Sequence, residues 1–358
     1  MTNIYCTYFN ESYLNRGIVL YRSLRKFVPD SILEVLCIDD NTYDFLVKRA
    51  SQFPGVIPCR VADFESRHPD LVAVKPTRTF LEYLFTCSSV WTSDVAARNQ
   101  QADFITYLDA DMMLFSSPAP VLEQMDGKDI LICAHNYANP TTPETYAPGV
   151  FNVGWLTFRT SPVGMECLTQ WANDCIEWCY DRVEGDKYAD QKYLDAWPAR
   201  YGDKLMIAPR TLDYGPWGIW KNDLSLVDNT PCVQGEPIIA FHYSGLRILD
   251  EKHYTTGCVF DYDITTILRL VYEPHIKLLT AATREFNLNK CRPARNSKAS
   301  FIFQLFNVHL LDKPFISCIK RALQSRSLPL MDACGINTIK LKLFLERLFA
   351  SRDNNLLT

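Results

Sequence analysis

Short apolar runs alternate with amphipathic stretches through the first part of the chain. Residues 3–9, Asn-Ile-Tyr-Cys-Thr-Tyr-Phe, read as a strand. Leu14, Ile18, Tyr21, Leu24 and Val28 then recur at three- and four-residue steps, the spacing of one helical face. Pro29-Asp30 ends that helix. Residues 32–38 form a second apolar strand closed by Asp39-Asp40, and residues 45–53 a second helix stopped by Pro54-Gly55. Strand, helix, strand, helix predicts a parallel sheet with crossover helices, an α/β fold.

The pattern continues with helices over 78–90 and 93–100. Asp103-Phe-Ile-Thr-Tyr-Leu-Asp-Ala-Asp-Met-Met-Leu-Phe115 follows, an apolar strand that runs straight into two carboxylates. Residues 129–134 and 150–158 predict strands, 163–180 a helix, and 190–196 the opening of another. Residues 238–242 predict a short strand ending in His242. A long helical pattern over 265–286 closes a body spanning 1–286. A polar, basic connector covers 287–300, and a tail over 301–358 holds amphipathic helical patterns at 301–325 and 336–351. The chain has no internal repeat and no low-complexity tract.

Composition narrows the class. Of 358 residues, 47% are hydrophobic and 22% charged, which excludes wholesale disorder. No apolar run approaches the ~20 residues that span a bilayer, and the first residues do not read as a signal peptide. The 13 cysteines are scattered, with no Cys-x-x-Cys. Cys175 and Cys179 read as two small buried hydrophobes, and an unpatterned thiol set is expected in a reducing cytoplasm. The net charge of −4 is uneven: residues 281–358 carry 13 Lys and Arg against 5 Asp and Glu, +8, which leaves −12 on residues 1–280. An acidic body argues against a nucleic-acid partner, and a basic, aromatic tail suits an anionic surface. The alternative for the tail is packing on the body or on a partner.

Four pieces carry candidate chemistry. Asp109 and Asp111, at a strand's carboxyl end, are placed either to cap a helix or to hold one hard cation, Mg²⁺ or Mn²⁺. His242 ends a strand before Ser244-Gly245 and is either a core histidine or a nitrogen ligand to that cation. Gly149-Val-Phe-Asn-Val-Gly-Trp155 is either an ordinary turn and strand or a close backbone approach to a ligand. Asp190-Gln191 is either a helix cap or a polar pair facing a substrate.

In this order the pieces resemble nucleotide-diphospho-sugar glycosyltransferases of the GT-A fold. Within them the chain is most similar to glycosyltransferase family 8 and related bacterial surface-polysaccharide transferases, which build lipopolysaccharide or capsule. The matching segments are Tyr21-Arg-Ser-Leu24, Tyr107-Leu-Asp-Ala-Asp111, Phe151-Asn-Val-Gly-Trp155, Asp190-Gln-Lys-Tyr-Leu194 and His242-Tyr-Ser-Gly245. The resemblance spans residues 3–280. It implies a Rossmann-like, mostly parallel sheet flanked by helices, with the C-terminal helical tail as an appendage.

It also implies roles. Asp109 would meet the nucleotide ribose and the metal, Asp111 would be the main metal ligand, and His242 the third. Thr7 and Tyr8 would hold the nucleoside, while Lys75 and Arg78 would contact the donor phosphates or sugar. Asn152 and Gln191 would face the donor sugar and the reacting carbon, beside Asp190. Where the family carries a Lys-Pro-Trp segment this chain has Gly245-Leu-Arg-Ile-Leu-Asp-Glu-Lys252, so Arg247 or Lys252 is expected on the diphosphate.

The implied reaction moves a sugar from a UDP-sugar to a glycan or lipid-linked glycan, with Mn²⁺ or Mg²⁺. A glutamine at position 191 is a poor nucleophile, which favours front-face transfer with retention. The aromatic loop Thr211-Leu-Asp-Tyr-Gly-Pro-Trp-Gly-Ile-Trp220, with His135 and Asn136, is either an acceptor wall or a packed surface loop. The expected location is cytoplasmic, peripheral at the inner face of a membrane. Two alternatives stand beside this reading: a sugar-nucleotide nucleotidyltransferase, for which Asn10-Glu-Ser-Tyr-Leu-Asn-Arg16 is the wrong loop, and a non-catalytic nucleotide-sugar-binding scaffold.

Overall fold

The computed structural model describes residues 2–138, 147–219, 224–248, 253–256, 264–291 and 308–310. The chain divides into two compact units. One is Met1–Ser244 with Leu270–Arg292, and the other is Gly245–Arg269 with Pro293–Thr358. Gly245–Arg269, expected within the body, therefore groups with the C-terminal part.

The first unit is built on a seven-stranded sheet. Its strands are β1 (Asn3–Phe9), β2 (Ile32–Cys37), β3 (Val56–Arg60), β4 (Phe104–Leu108), β6 (Ile130–Ala134), β7 (Phe151–Arg159) and β8 (Leu205–Ile207), ordered β3-β2-β1-β4-β7-β6-β8. A separate antiparallel pair joins β5 (Met112–Leu114) to β12 (Ala240–His242). Strands β9 (Leu224–Val227), β10 (Thr230–Val233) and β11 (Glu236–Pro237) form a small antiparallel sheet. In the main sheet only β7 runs antiparallel to both its neighbours, so the fold is the expected α/β class with a mainly parallel sheet flanked by helices.

The helices of the first half are α1 (Leu14–Phe27), α2 (Asp40–Lys48), α3 (Val61–Arg67), α4 (Pro69–Val74), α5 (Phe80–Arg98) and α6 (Ala119–Glu123). The second half adds α7 (Pro162–Glu177), α8 (Trp197–Tyr201), α9 (Thr265–Ile267) and α10 (Glu273–Glu285). Alternation along the strands sorts the core. Ile4, Cys6, Ile105 and Tyr107 face a layer that contains Trp91 of α5 and Trp171 of α7. Tyr5, Phe9, Phe104 and Leu108 face α1 and α2 through Ile18, Leu24 and Phe45. Each such side chain taken fully out of water contributes about 1.5–3 kcal/mol.

Several boundaries differ from expectation for local reasons. The two helices expected over 78–90 and 93–100 are one, α5, whose N-cap Thr79 and Glu82 make a reciprocal capping box. Its internal hydroxyls are satisfied by the helix itself: Thr86 Oγ1 donates to the Glu82 carbonyl and Thr92 Oγ1 to that of Ser88. Asp39 caps α2 by accepting from the Thr42 N–H. The helix expected from residue 190 is a 3₁₀ turn, Lys192–Ala196, followed by α8, with Pro198 in the first turn. The long helix expected over 265–286 is broken by a π turn, Leu268–Tyr272, where Pro274 removes a backbone donor.

The described part of the second unit includes a three-stranded antiparallel sheet. It holds β13 (Arg247–Ile248), β14 (His253–Thr255) and β15 (Val308–Leu310). The helix expected over 301–325 is thus extended at Val308–Leu310, where a pairing partner overrides local helical periodicity. The rest of that stretch, and the helix expected at 336–351, lie outside the described residues. Among the described residues no helix is long and apolar enough to cross a membrane. Cys175 and Cys179 are buried and unbridged, as expected.

Candidate metal centre

Strand β4 ends at Leu108, and the chain turns through Asp109-Ala110-Asp111 into β5. The turn is pinned by the Asp109 N–H, which donates to the Gly154 carbonyl at 3.0 Å, and by the Met112 N–H, which donates to the Asp109 carbonyl at 3.2 Å. Strand β12 pairs with β5 so that His242 stands opposite Met112. The next N–H, of Tyr243, donates to the Asp111 carbonyl at 2.9 Å. Two segments some 130 residues apart are thereby zipped together at the end of β4.

His242 Nε2 lies 3.4 Å from Asp109 Oδ2 and 3.3 Å from Asp111 Oδ1. One ligand atom from each of the three residues lies within 4.8 Å of the others. Two hard carboxylate oxygens and an imidazole nitrogen fit Mn²⁺ or Mg²⁺. The electrostatics also fit a cation. Burial, and then the neighbouring Asp111 carboxylate, push the Asp109 carboxyl up to about 6 against the pull of His242. For Asp111, burial is outweighed by His242 and the Arg16 guanidinium, and its carboxyl is held below the usual range. Burial alone would lower His242, but the Asp111 and Asp213 carboxylates hold it well above the ordinary imidazole value.

The residues around the cluster complete it. Tyr107 Oη donates to Asp109 Oδ1 at 2.6 Å, and the Tyr8 ring is tilted against the Tyr107 ring. Asp190 is buried and accepts from Ser88 Oγ at 2.6 Å. Burial, and after it the Asp109 charge, push the Asp190 carboxyl up to about 7. Gln191 Nε2 donates to the Pro148 carbonyl at 2.8 Å. Trp217 packs edge-on against both His242 and His135, and Tyr137 stacks on His135.

Other sequence candidates sit elsewhere or are engaged. The Thr7 side chain is fully buried in the sheet. Lys75 Nζ pairs with Glu65 at 2.5 Å. Arg78 is buried, donates to the Cys175 and Ile176 carbonyls near the end of α7, and stacks on Tyr180. The Asn152 side-chain amide donates to Asp213 Oδ2 and accepts from the Gly154 N–H at 3.1 Å. Arg247 is exposed in β13 of the second unit.

Three contributors stood in the sequence only as parts of longer segments, with no role assigned: Asp213, Arg16 and the phenol of Tyr107. Asp213 lies in a loop legible only as aromatic and glycine-rich. Arg16 lies in the first turn of α1, and its effect on Asp111 depends on how α1 crosses β5.

No family model matches this chain. It is 26% identical over 290 residues to "Uncharacterized protein YfnF" of Bacillus subtilis (strain 168), covering 77% of this chain and 93% of that protein. It is 23% identical over 274 residues to "Uncharacterized protein YfnD" of the same organism, covering 76% and 87%. Among solved structures it is similar to the galactosyltransferase LgtC in complex with donor and acceptor sugar analogs, with a TM-score of 0.48 and 12% identity over 79% of this chain and 99% of that one. It is also similar to the glycosyltransferase GlyE of Streptococcus pneumoniae TIGR4, with a TM-score of 0.46 and 14% identity over 83% and 66%. Mouse xyloside xylosyltransferase 1 gives a TM-score of 0.44 and 13% identity over 68% and 98%.

Proposed function

We propose that this protein is a metal-dependent glycosyltransferase of the GT-A type. It would move a sugar from a nucleoside diphosphate, UDP, to a glycan or lipid-linked glycan acceptor, with retention. The observation that carries the reading is the convergence of Asp109, Asp111 and His242 at the carboxyl end of β4. In open α/β sheets that edge is where ligands bind. The sequence order of the matching segments, from Tyr21 to Gly245, supports the same class.

Asp109, Asp111 and His242 would hold Mn²⁺ or Mg²⁺. The bound cation would supply neutralisation of the charge that builds on the departing phosphate. Tyr107 fixes the Asp109 carboxylate through its hydroxyl, leaving Oδ2 for the shared site. Arg16 adds positive charge on the Asp111 side, where it suits a diphosphate, and Tyr8 offers a ring to the base. Asp190 and Gln191 line the sugar side. The anomeric carbon loses its bond to the phosphate oxygen and gains one to the acceptor oxygen, whose proton passes to the departing phosphate. The half-buried rings of Trp217 and Tyr137 would stack an acceptor sugar, with the buried His135 supporting both. The basic C-terminal segment would hold the acidic body near an anionic, glycan-carrying membrane face.

The test is a panel of nucleotide sugars incubated with Mn²⁺ and assayed for released nucleoside diphosphate. Release from one UDP-sugar that stops in EDTA supports the reading. Absence of release from every donor, or release unaffected by EDTA, contradicts it.

A further inference from the structure

Behind His242, on the side away from Asp109 and Asp111, lies a fully buried carboxylate. The Asp213 side chain is 0% exposed, and its Oδ1 stands 3.5 Å from His242 Nδ1. Among the described residues neither of these two buried atoms has a hydrogen-bond partner, and each is the other's facing polar group. The other oxygen, Oδ2, accepts from Asn152 Nδ2. Backbone pairing fixes the approach: the His242 N–H donates to the Tyr214 carbonyl at 2.9 Å, and the Tyr214 N–H to that of Ala240 at 3.0 Å. Space for the pair comes from Gly154, where a Cβ would lie 2.4 Å from His242 Nδ1 and 2.8 Å from Asp213 Oδ2.

Taking a carboxylate fully out of water is costly unless a charged or donating partner compensates it. Asn152 compensates Oδ2, and for Oδ1 the facing donor is the imidazole. A ligating histidine whose second nitrogen donates to a carboxylate is held in one tautomer and one orientation, and becomes a better ligand. We propose that Asp213 is a positioning residue for the cation site: it accepts the Nδ1–H of His242, so that Nε2 turns its lone pair toward Asp109 and Asp111. Asn152 holds Asp213 in that orientation in turn. The inference rests on the metal reading above, but concerns a residue outside the ligand set.

The test uses Mn²⁺ alone, titrated into the full chain and followed by the paramagnetic resonance of the free ion. Asp213→Asn keeps the shape and the Asn152 contact but turns an amide N–H₂ toward Nδ1. It should weaken Mn²⁺ binding about 10–100-fold, with circular dichroism unchanged. If wild-type protein binds Mn²⁺ and Asp213→Asn binds it within about twofold, this inference fails while the metal reading stands. If wild-type protein binds no Mn²⁺, both fail. Should Asp213→Asn not fold, ring ¹⁵N–¹H correlation on Zn²⁺-loaded wild-type protein decides. A proton on Nδ1 with a bare Nε2 supports the role, and the reverse tautomer overturns it.

Discussion

Gly154 leaves room for His242: a Cβ at position 154 would stand 2.4 Å from the ring nitrogen Nδ1. The same glycine's carbonyl accepts the Asp109 N–H, so one residue of β7 touches both strands of the site. Gly154→Ala should push the imidazole out of line and weaken Mn²⁺ binding by at least about tenfold. The backbone there is extended, so the sheet should survive. A Mn²⁺ titration with affinity equal to wild type would contradict this.

Gln191, proposed to face the donor sugar, donates from its amide to the Pro148 carbonyl. Gln191→Ala should lower kcat about 10²-fold while UDP affinity stays within a factor of two, the signature of contacts made in the transition state. Calorimetry with UDP and Mn²⁺ beside steady-state kinetics checks the split. A parallel collapse of UDP binding would move Gln191 to the nucleotide.

Asp190 sets a pH dependence of stability. Its carboxyl, raised from 3.8 to about 7, keeps its proton longer in the folded state than in the unfolded chain. The folded state therefore binds more protons across that window, and stability falls as pH rises from about 4 to about 7. The full span corresponds to about 4 kcal/mol. Asp190→Asn, which can still accept from Ser88 Oγ, should match wild type near pH 4 and exceed it at pH 8. Urea unfolding of metal-free protein at both pH values measures this, and equal stabilities at pH 8 would refute it.

The strand that carries the carboxylates was legible because an apolar run, Phe104–Leu108, ends abruptly in Asp-x-Asp. His242 was legible only as its companion, since a histidine closing a short strand is ordinary. Asp213 was hidden because its pairing with His242 depends on residues 211–214 running beside β12, which no local pattern encodes. Strand β3 was missed for a related reason: Pro58 and Arg60 break its apolar character, tolerated because β3 is an edge strand. The partners of Lys75 and Arg78 were not legible, because a basic residue upstream of the motif looks the same whether it meets a phosphate or a helix end.

The basic C-terminal part, +8 over residues 281–358, should bring the full-length protein down with anionic vesicles at low salt. Each basic side chain near such a surface contributes about 1 kcal/mol. Binding should therefore weaken as salt rises and vanish on neutral vesicles. Co-sedimentation measures both. Indifference to anionic vesicles at low salt would assign the segment to packing instead.

The most direct measurement is calorimetric titration of UDP into the wild-type protein and into Asp111→Asn, each with Mn²⁺ and with EDTA. If Asp109, Asp111 and His242 hold the cation that carries the diphosphate, UDP binds wild type only with Mn²⁺. Asp111→Asn then loses that binding while remaining folded. UDP binding of equal strength in EDTA, or in Asp111→Asn, would contradict the account.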